Sequence, residues 1–136
     1  MESVFIDTDI ALDLLAKRMP HYSSAARLFS RADKGELSIS ISSLSFSNLN
    51  YLLSRQYSQQ EARRILHTFK ILVKVLAVDD KIIDLSLNSQ FKDFEDAIQY
   101  FAAVENNMTT LLTRNLRDYK HAKITVMTAE DFLLSF

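Results

Sequence analysis

An α/β domain built on a mostly parallel sheet is the fold that this 136-residue sequence predicts. Short apolar runs of strand length alternate with longer segments whose apolar residues recur at helical spacing, the pattern of strands joined by helical crossovers. The length suits a single domain spanning residues 1–136, large enough to bury a core without covalent staples and too short for two.

The first strand is the apolar run Val4–Ile6, which ends on Asp7. A helix is expected near Ile10–Arg18 and a second near Tyr22–Asp33, with Pro20 and the polar residues after it keeping the two apart. The segment "KGEL" at 34–37 stops the second helix, and Leu37–Ile41 forms the next strand. Phe46, Leu49, Leu52 and Leu53 then mark one helix face. Ala62, Ile65, Leu66 and Phe69 mark another at i, i+3, i+4, i+7. Val73–Val78 is the third strand. In the helix that starts at Asp93, apolar residues from Phe94 to Val104 cover most of the circumference, leaving Glu95 and Gln99 as the main polar stripe. That helix should be packed on several sides. Thr110–Thr113 and Ile124–Met127 complete the strands, with no internal repeat, low-complexity tract or linker.

Composition narrows the chemistry. Without cysteine there is no disulfide, thiolate metal site or thiol nucleophile. The single glycine, Gly35, excludes the glycine-rich loops that bring backbone amides onto nucleotide phosphates. A net charge of −1 leaves nucleic-acid binding to local basic patches. The first apolar run is too short for a signal peptide and no later run approaches a membrane span, so a soluble cytoplasmic protein is expected. His21, His67 and His121 show no metal-ligand spacing.

Acids stand where ligands bind in open α/β sheets, beyond the carboxyl ends of strands. Asp7 follows the first strand directly, Asp118 lies a few residues past Leu111 and Leu112, and Asp93 and Asp96 open the heavily apolar helix. Brought to one edge, such residues repel one another without a cation, and hard divalent ions prefer oxygen ligands. Metal-assisted phosphoryl chemistry follows from that pairing. Each acid also has a structural role open to it. Asp93, Glu95 and Asp96 suit a helix N-terminus, Asp7 and Asp9 suit a helix start after a strand, and Asp118 suits a solvated loop. Tyr119 suits either a base stack or a core anchor. A phosphoacceptor reading built on Asp7 and "VDD" at 78–80 is weaker, because too many helical segments intervene for a simple alternating fold.

Four stretches in order, "FIDTDIALDLL", "SISISSLSFSNLNYLL", "FKDFEDAIQYFAA" and "LLTRNLRDY", resemble the motifs of the PIN-domain family, especially its small bacterial VapC toxin-like members. The resemblance spans nearly the whole chain. It implies a three-layer α/β/α sandwich with a mostly parallel central sheet of about five short strands. It also implies an endoribonuclease that uses Mg²⁺ or Mn²⁺ to activate the water hydrolysing RNA phosphodiesters. A homodimer and, for toxin-like members, a small antitoxin partner are further implications. Residue by residue, Asp7, Asp96 and Asp118 would be the catalytic, metal-holding acids, Asp93 and Asp9 extra acids nearby, and Thr8, Thr113 and Asn115 polar supports. Asn48 stands where the family usually has a glutamate. Its amide oxygen can contact a cation but carries no charge and cannot act as a base. An alternative reading is therefore a catalytically impaired PIN-like domain that binds RNA or a protein. Beside the last motif, Arg114, Arg117, Lys120 and Lys123 form a basic patch suited to an RNA backbone.

Overall fold

A computed structural model describes residues 1–136. Five strands form one sheet: β1 (Glu2–Ile6), β2 (Leu37–Ser42), β3 (Lys74–Leu76), β4 (Thr110–Leu112) and β5 (Thr125–Met127). Seven helices accompany them: α1 (Thr8–Leu15), α2 (Tyr22–Asp33), α3 (Ser43–Gln56), α4 (Gln59–Phe69), α5 (Asp80–Leu87), α6 (Phe94–Glu105) and α7 (Ala129–Ser135). The sheet order is β3-β2-β1-β4-β5 and every neighbouring pair is parallel. No helix is long and apolar enough to cross a membrane.

Strand alternation divides the core in two. Val4 and Ile6 of β1, Leu37, Ile39 and Ile41 of β2, and Leu112 of β4 face a cluster shared with α1, α2, α3, α4 and α7. Phe5 and Leu111 face the opposite cluster, closed by α5 and α6. The result is the expected sandwich of helices on both sides of a sheet. Serines Ser40 and Ser42 fill the α6 side of β2, and being small they let α6 lie close.

Helix starts follow from side-chain caps. Asp7, Ser42, Ser58, Asp79, Asp93 and Thr128 each accept a hydrogen bond from the backbone N–H three residues on. Gly35 takes φ +76° just past α2, as a helix C-terminus favours, and so stops that helix. The structure also revises several expectations. The first helix runs over Thr8–Leu15 rather than from Ile10 to Arg18, because Asp7 and not Asp9 is its cap. Strand β3 has three residues rather than the six of Val73–Val78. Helices α5 and α7 were not anticipated. Asp79, capping α5 beyond the edge strand β3, is two strands away from β1, which removes the geometry of the phosphoacceptor reading.

Candidate active site

From β1 the chain builds β2 and β3 on one side of the sheet before placing β4 and β5 on the other. Connections therefore diverge at the carboxyl ends of β1 and β4 and open a crevice there. Asp7 follows β1 and Thr113 follows β4 across that crevice. The Asp7 N–H donates to the Leu112 carbonyl at 3.2 Å, extending the β1·β4 ladder by one residue. One Asp7 carboxylate oxygen accepts the Ile10 N–H at 3.3 Å and the other accepts the Thr113 hydroxyl. Thr113 in turn accepts the Asn115 N–H at 3.0 Å, and the Asn115 side chain donates to Asp9 at 3.0 Å. The start of α1 and the loop after β4 are thus laced together.

The crevice widens into a cleft of about 550 Å³. Asp7, Thr8 and Asp9 form one wall, Asn48, Tyr51 and Leu52 of α3 another, and Glu95, Asp96 and Gln99 of α6 a third, with Asn115 at the rim. Four segments far apart in sequence meet here. Beneath them, Gln99 is 3% exposed and fully engaged. Its carbonyl accepts from Ser42 at 2.8 Å, and its amide donates to Ser45 at 2.9 Å and to Thr8 at 3.4 Å. The polar stripe of α6, exposed Glu95 and buried Gln99, thus lines the cleft.

Burial pushes Asp7 up from 3.8 to about 7, a rise that the Thr113 and Ile10 hydrogen bonds offset only in part and to which repulsion from Asp9 and Asp96 adds a smaller share. Half-buried Asp96 is pushed up to about 6 by desolvation, then by Asp93, Asp118, Glu95 and Asp9. Two carboxylates that resist ionising in one cleft make a site that favours a cation.

Asp96 also borders a second depression, with Asp93, Asp118, Lys92, Arg117, Lys120 and His121. Asp118 therefore meets Asp96 there rather than inside the main cleft. Asp93 is the cap of α6, accepting the Asp96 N–H at 3.0 Å. Arg117 and Lys120 sit beside the acids. Arg114 is engaged elsewhere: its guanidinium forks onto Asp13 at 2.9 and 3.2 Å, and Asp13 is 1% exposed. Lys123 lines neither depression, and its backbone N–H donates to the Tyr100 hydroxyl at 3.1 Å. Tyr119 is buried as a core anchor, not exposed for stacking. Sequence reasoning missed Glu95, Tyr51 and Lys92 as site residues. For Glu95 a signal existed in its place beside Gln99 on an otherwise apolar helix.

No three carboxylates or histidines converge tightly enough to cage a metal on their own. Mg²⁺ does not need such a cage, since it keeps several waters and takes one or two carboxylates with substrate phosphate oxygens. The donor set fits that mode. Asp7, Asp96 and Asp9 offer hard oxygens, Thr8, Asn48 and Asn115 add neutral ones, and the raised acids gain most from a nearby positive charge.

A family model described as PIN domain matches residues 3–117. No curated protein sequence matches the chain. Among solved structures, VapBC2 from Rickettsia felis, bound to a DNA fragment from its promoter, aligns at TM-score 0.67 and 17% identity over 92% of this chain and 96% of that one. A toxin–antitoxin complex from Klebsiella pneumoniae aligns at 0.68 and 21% identity, covering 93% and 97%. Mycobacterium tuberculosis VapC20, a sarcin-ricin loop cleaving toxin, aligns at 0.64 and 15% identity, covering 79% and 86%.

Proposed function

The chain belongs to the PIN-domain family, and from that membership we propose that it is a divalent-metal-dependent endoribonuclease, the toxin of a toxin–antitoxin pair. The observation that carries the reading is the meeting of Asp7, Asp9 and Asp96 in one cleft at the sheet's switch point. Mg²⁺ or Mn²⁺ held there would activate water and neutralise charge on the phosphate under attack. Asp7 and Asp96 would hold the ion, with Asp9 beside them in the cleft and Asp118 reaching it from the depression it shares with Asp96. Thr113 and the Ile10 N–H fix the Asp7 carboxylate, so its oxygens are aimed before any ligand arrives. Asn115 does the same for Asp9. Arg117 and Lys120 hold backbone phosphates of the strand. Glu95, on the α6 wall of the same cleft, supplies a carboxylate that Asn48 on the α3 wall does not. A small antitoxin protein is the proposed partner, supported by the toxin–antitoxin assemblies among the structural neighbours, and a second copy of the chain is proposed from the family resemblance alone.

Calorimetric titration of Mn²⁺ into the wild type and the Asp96→Asn variant, followed by cleavage of an RNA panel, tests this function. Binding lost in the variant, with cleavage lost in both Asp7→Asn and Asp96→Asn, is expected. Undiminished cleavage by both variants would sink the reading. Asn48 favours a second one, an impaired PIN-like binding module. Metal-independent RNA binding with no cleavage of any RNA in the panel would select it.

A further inference from the structure

Resting on the ribonuclease reading, we infer that Tyr51 and Lys92 position the RNA on either side of Asp96, one base stacking on the Tyr51 ring and a neighbouring phosphate being held by Lys92. Two independent features carry this. Tyr51 is 61% exposed, yet it belongs to the wall of the acidic cleft. Arg55, one turn along α3, donates to the Tyr51 hydroxyl at 3.2 Å and places its guanidinium carbon 5.5 Å from the ring centroid. The ring is held in place while a face stays open, which is what a stacking platform for an unpaired base requires. A core position is excluded here by exposure.

On the other side of Asp96, Lys92, Arg117 and Lys120 gather around the second depression, and none of the three forms an ion pair within the chain. Asp96 is the residue common to both depressions. A strand whose reacting phosphate sits at the acids therefore meets unpaired cations on one flank and an open aromatic ring on the other. Lys92 immediately precedes Asp93, the cap of α6.

The cleft wall is a poor seat for a peptide. Only Tyr51 and Leu52 among its lining residues are apolar, and burying the hydroxyls, amides and carboxylates around them against apolar side chains would leave those groups unpaired. RNA brings a flat π-face for the ring and oxygens for the cations. A duplex is disfavoured, because its bases are stacked inside and cannot reach Tyr51.

The test uses the Asp7→Asn/Asp96→Asn protein, which cannot cleave and repels RNA less, with fluorescein-labelled 12-mers of A, C and U, free and annealed to their complements. Adding Tyr51→Ala is expected to weaken binding of the free strands by roughly 5- to 100-fold, while Tyr51→Phe stays within about twofold. Lys92→Ala should lower the slope of log affinity against log salt by about 0.7. Annealed probes should bind more weakly than free ones. A Tyr51→Ala protein that binds as its parent does, or a preference for annealed probes, overturns the strand path alone and leaves Tyr51 to a protein partner. A parent that binds none of the probes at low salt also overturns the strand path, whereas the ribonuclease reading stands or falls separately on cleavage of the RNA panel by the wild type with Mn²⁺.

Discussion

Asp7 terminates a strand, caps α1 and presents a carboxylate to the cleft, and these roles conflict energetically. Without a cation its proton is held more tightly in the folded chain, at about 7, than at the unfolded value of 3.8. The stability this contributes is complete below about pH 3.8 and is lost as pH rises through about 7. Asp96, raised to about 6, acts with the same sign. Asp7→Asn keeps a good helix cap through its one amide oxygen and turns its amide N–H₂ toward Thr113, whose hydroxyl oxygen can accept, while removing the buried charge. The metal-free variant should therefore be more stable than the wild type at pH 8, by up to about 4 kcal/mol for a shift of this size, with little difference at pH 4. Saturating Mn²⁺ should shrink the gap at pH 8. Urea denaturation at both pH values measures it, and a variant no more stable than wild type at pH 8 would contradict the assigned burial. The position of Asp7 was legible from residue order alone, since a buried strand running straight into acids points to a site. Its capping role was not, because Asp9 offered an equally good helix start.

At the scale of elements, α6 decides which acid does what. The sequence offers Asp93 both as a helix cap and, by the family resemblance, as an extra acid near the metal, and its carboxylate accepts the Asp96 N–H in the cap position. Asp93→Ala should cost about 1 kcal/mol, and Asp93→Ser, which keeps the cap, should cost almost nothing. Mn²⁺ affinity should stay within a few-fold of wild type in Asp93→Ser. A loss of ion binding as large as that in Asp96→Asn would make Asp93 a ligand instead. The apolar circumference of α6 announced a packed helix. It could not announce that Gln99 would be buried beneath the cleft, because its partners Ser42, Ser45 and Thr8 come from two other segments. Helices α5 and α7 escaped notice for a different reason. At eight and seven residues they span only about two turns, too few for a hydrophobic period to stand out. Their caps were nonetheless written in the chain, Asp79 ahead of "DKII" and Thr128 ahead of "AEDF". Short β3 owes its pairing to β2 rather than to its own pattern.

Over the whole molecule, strand alternation and helical periodicity made the α/β class legible, whereas long-range polar pairs were hidden. Asp13 reads as one more polar residue on α1, and Arg114 as part of a basic loop. The fold brings them together across 101 residues, with Arg18 a second cation 3.5 Å from Asp13. This pair ties α1 to the loop that carries Asn115 and Asp118, which gives Arg114 a place in the architecture of the cleft. Removing one partner of a buried pair strands the other charge, whereas removing both leaves only a packing change. Arg114→Ala should therefore cost about 3 kcal/mol, the lower end of the usual range because Arg18 remains. The double variant Asp13→Leu/Arg114→Met should be more stable than Arg114→Ala alone. Lysine at 114 should rescue only partly, since one ammonium cannot replace the two-point fork. Urea denaturation orders the variants, and the salt dependence of RNA binding separates the two roles. A nearly unchanged stability with a reduced salt slope in Arg114→Ala would return this residue to the RNA-binding patch.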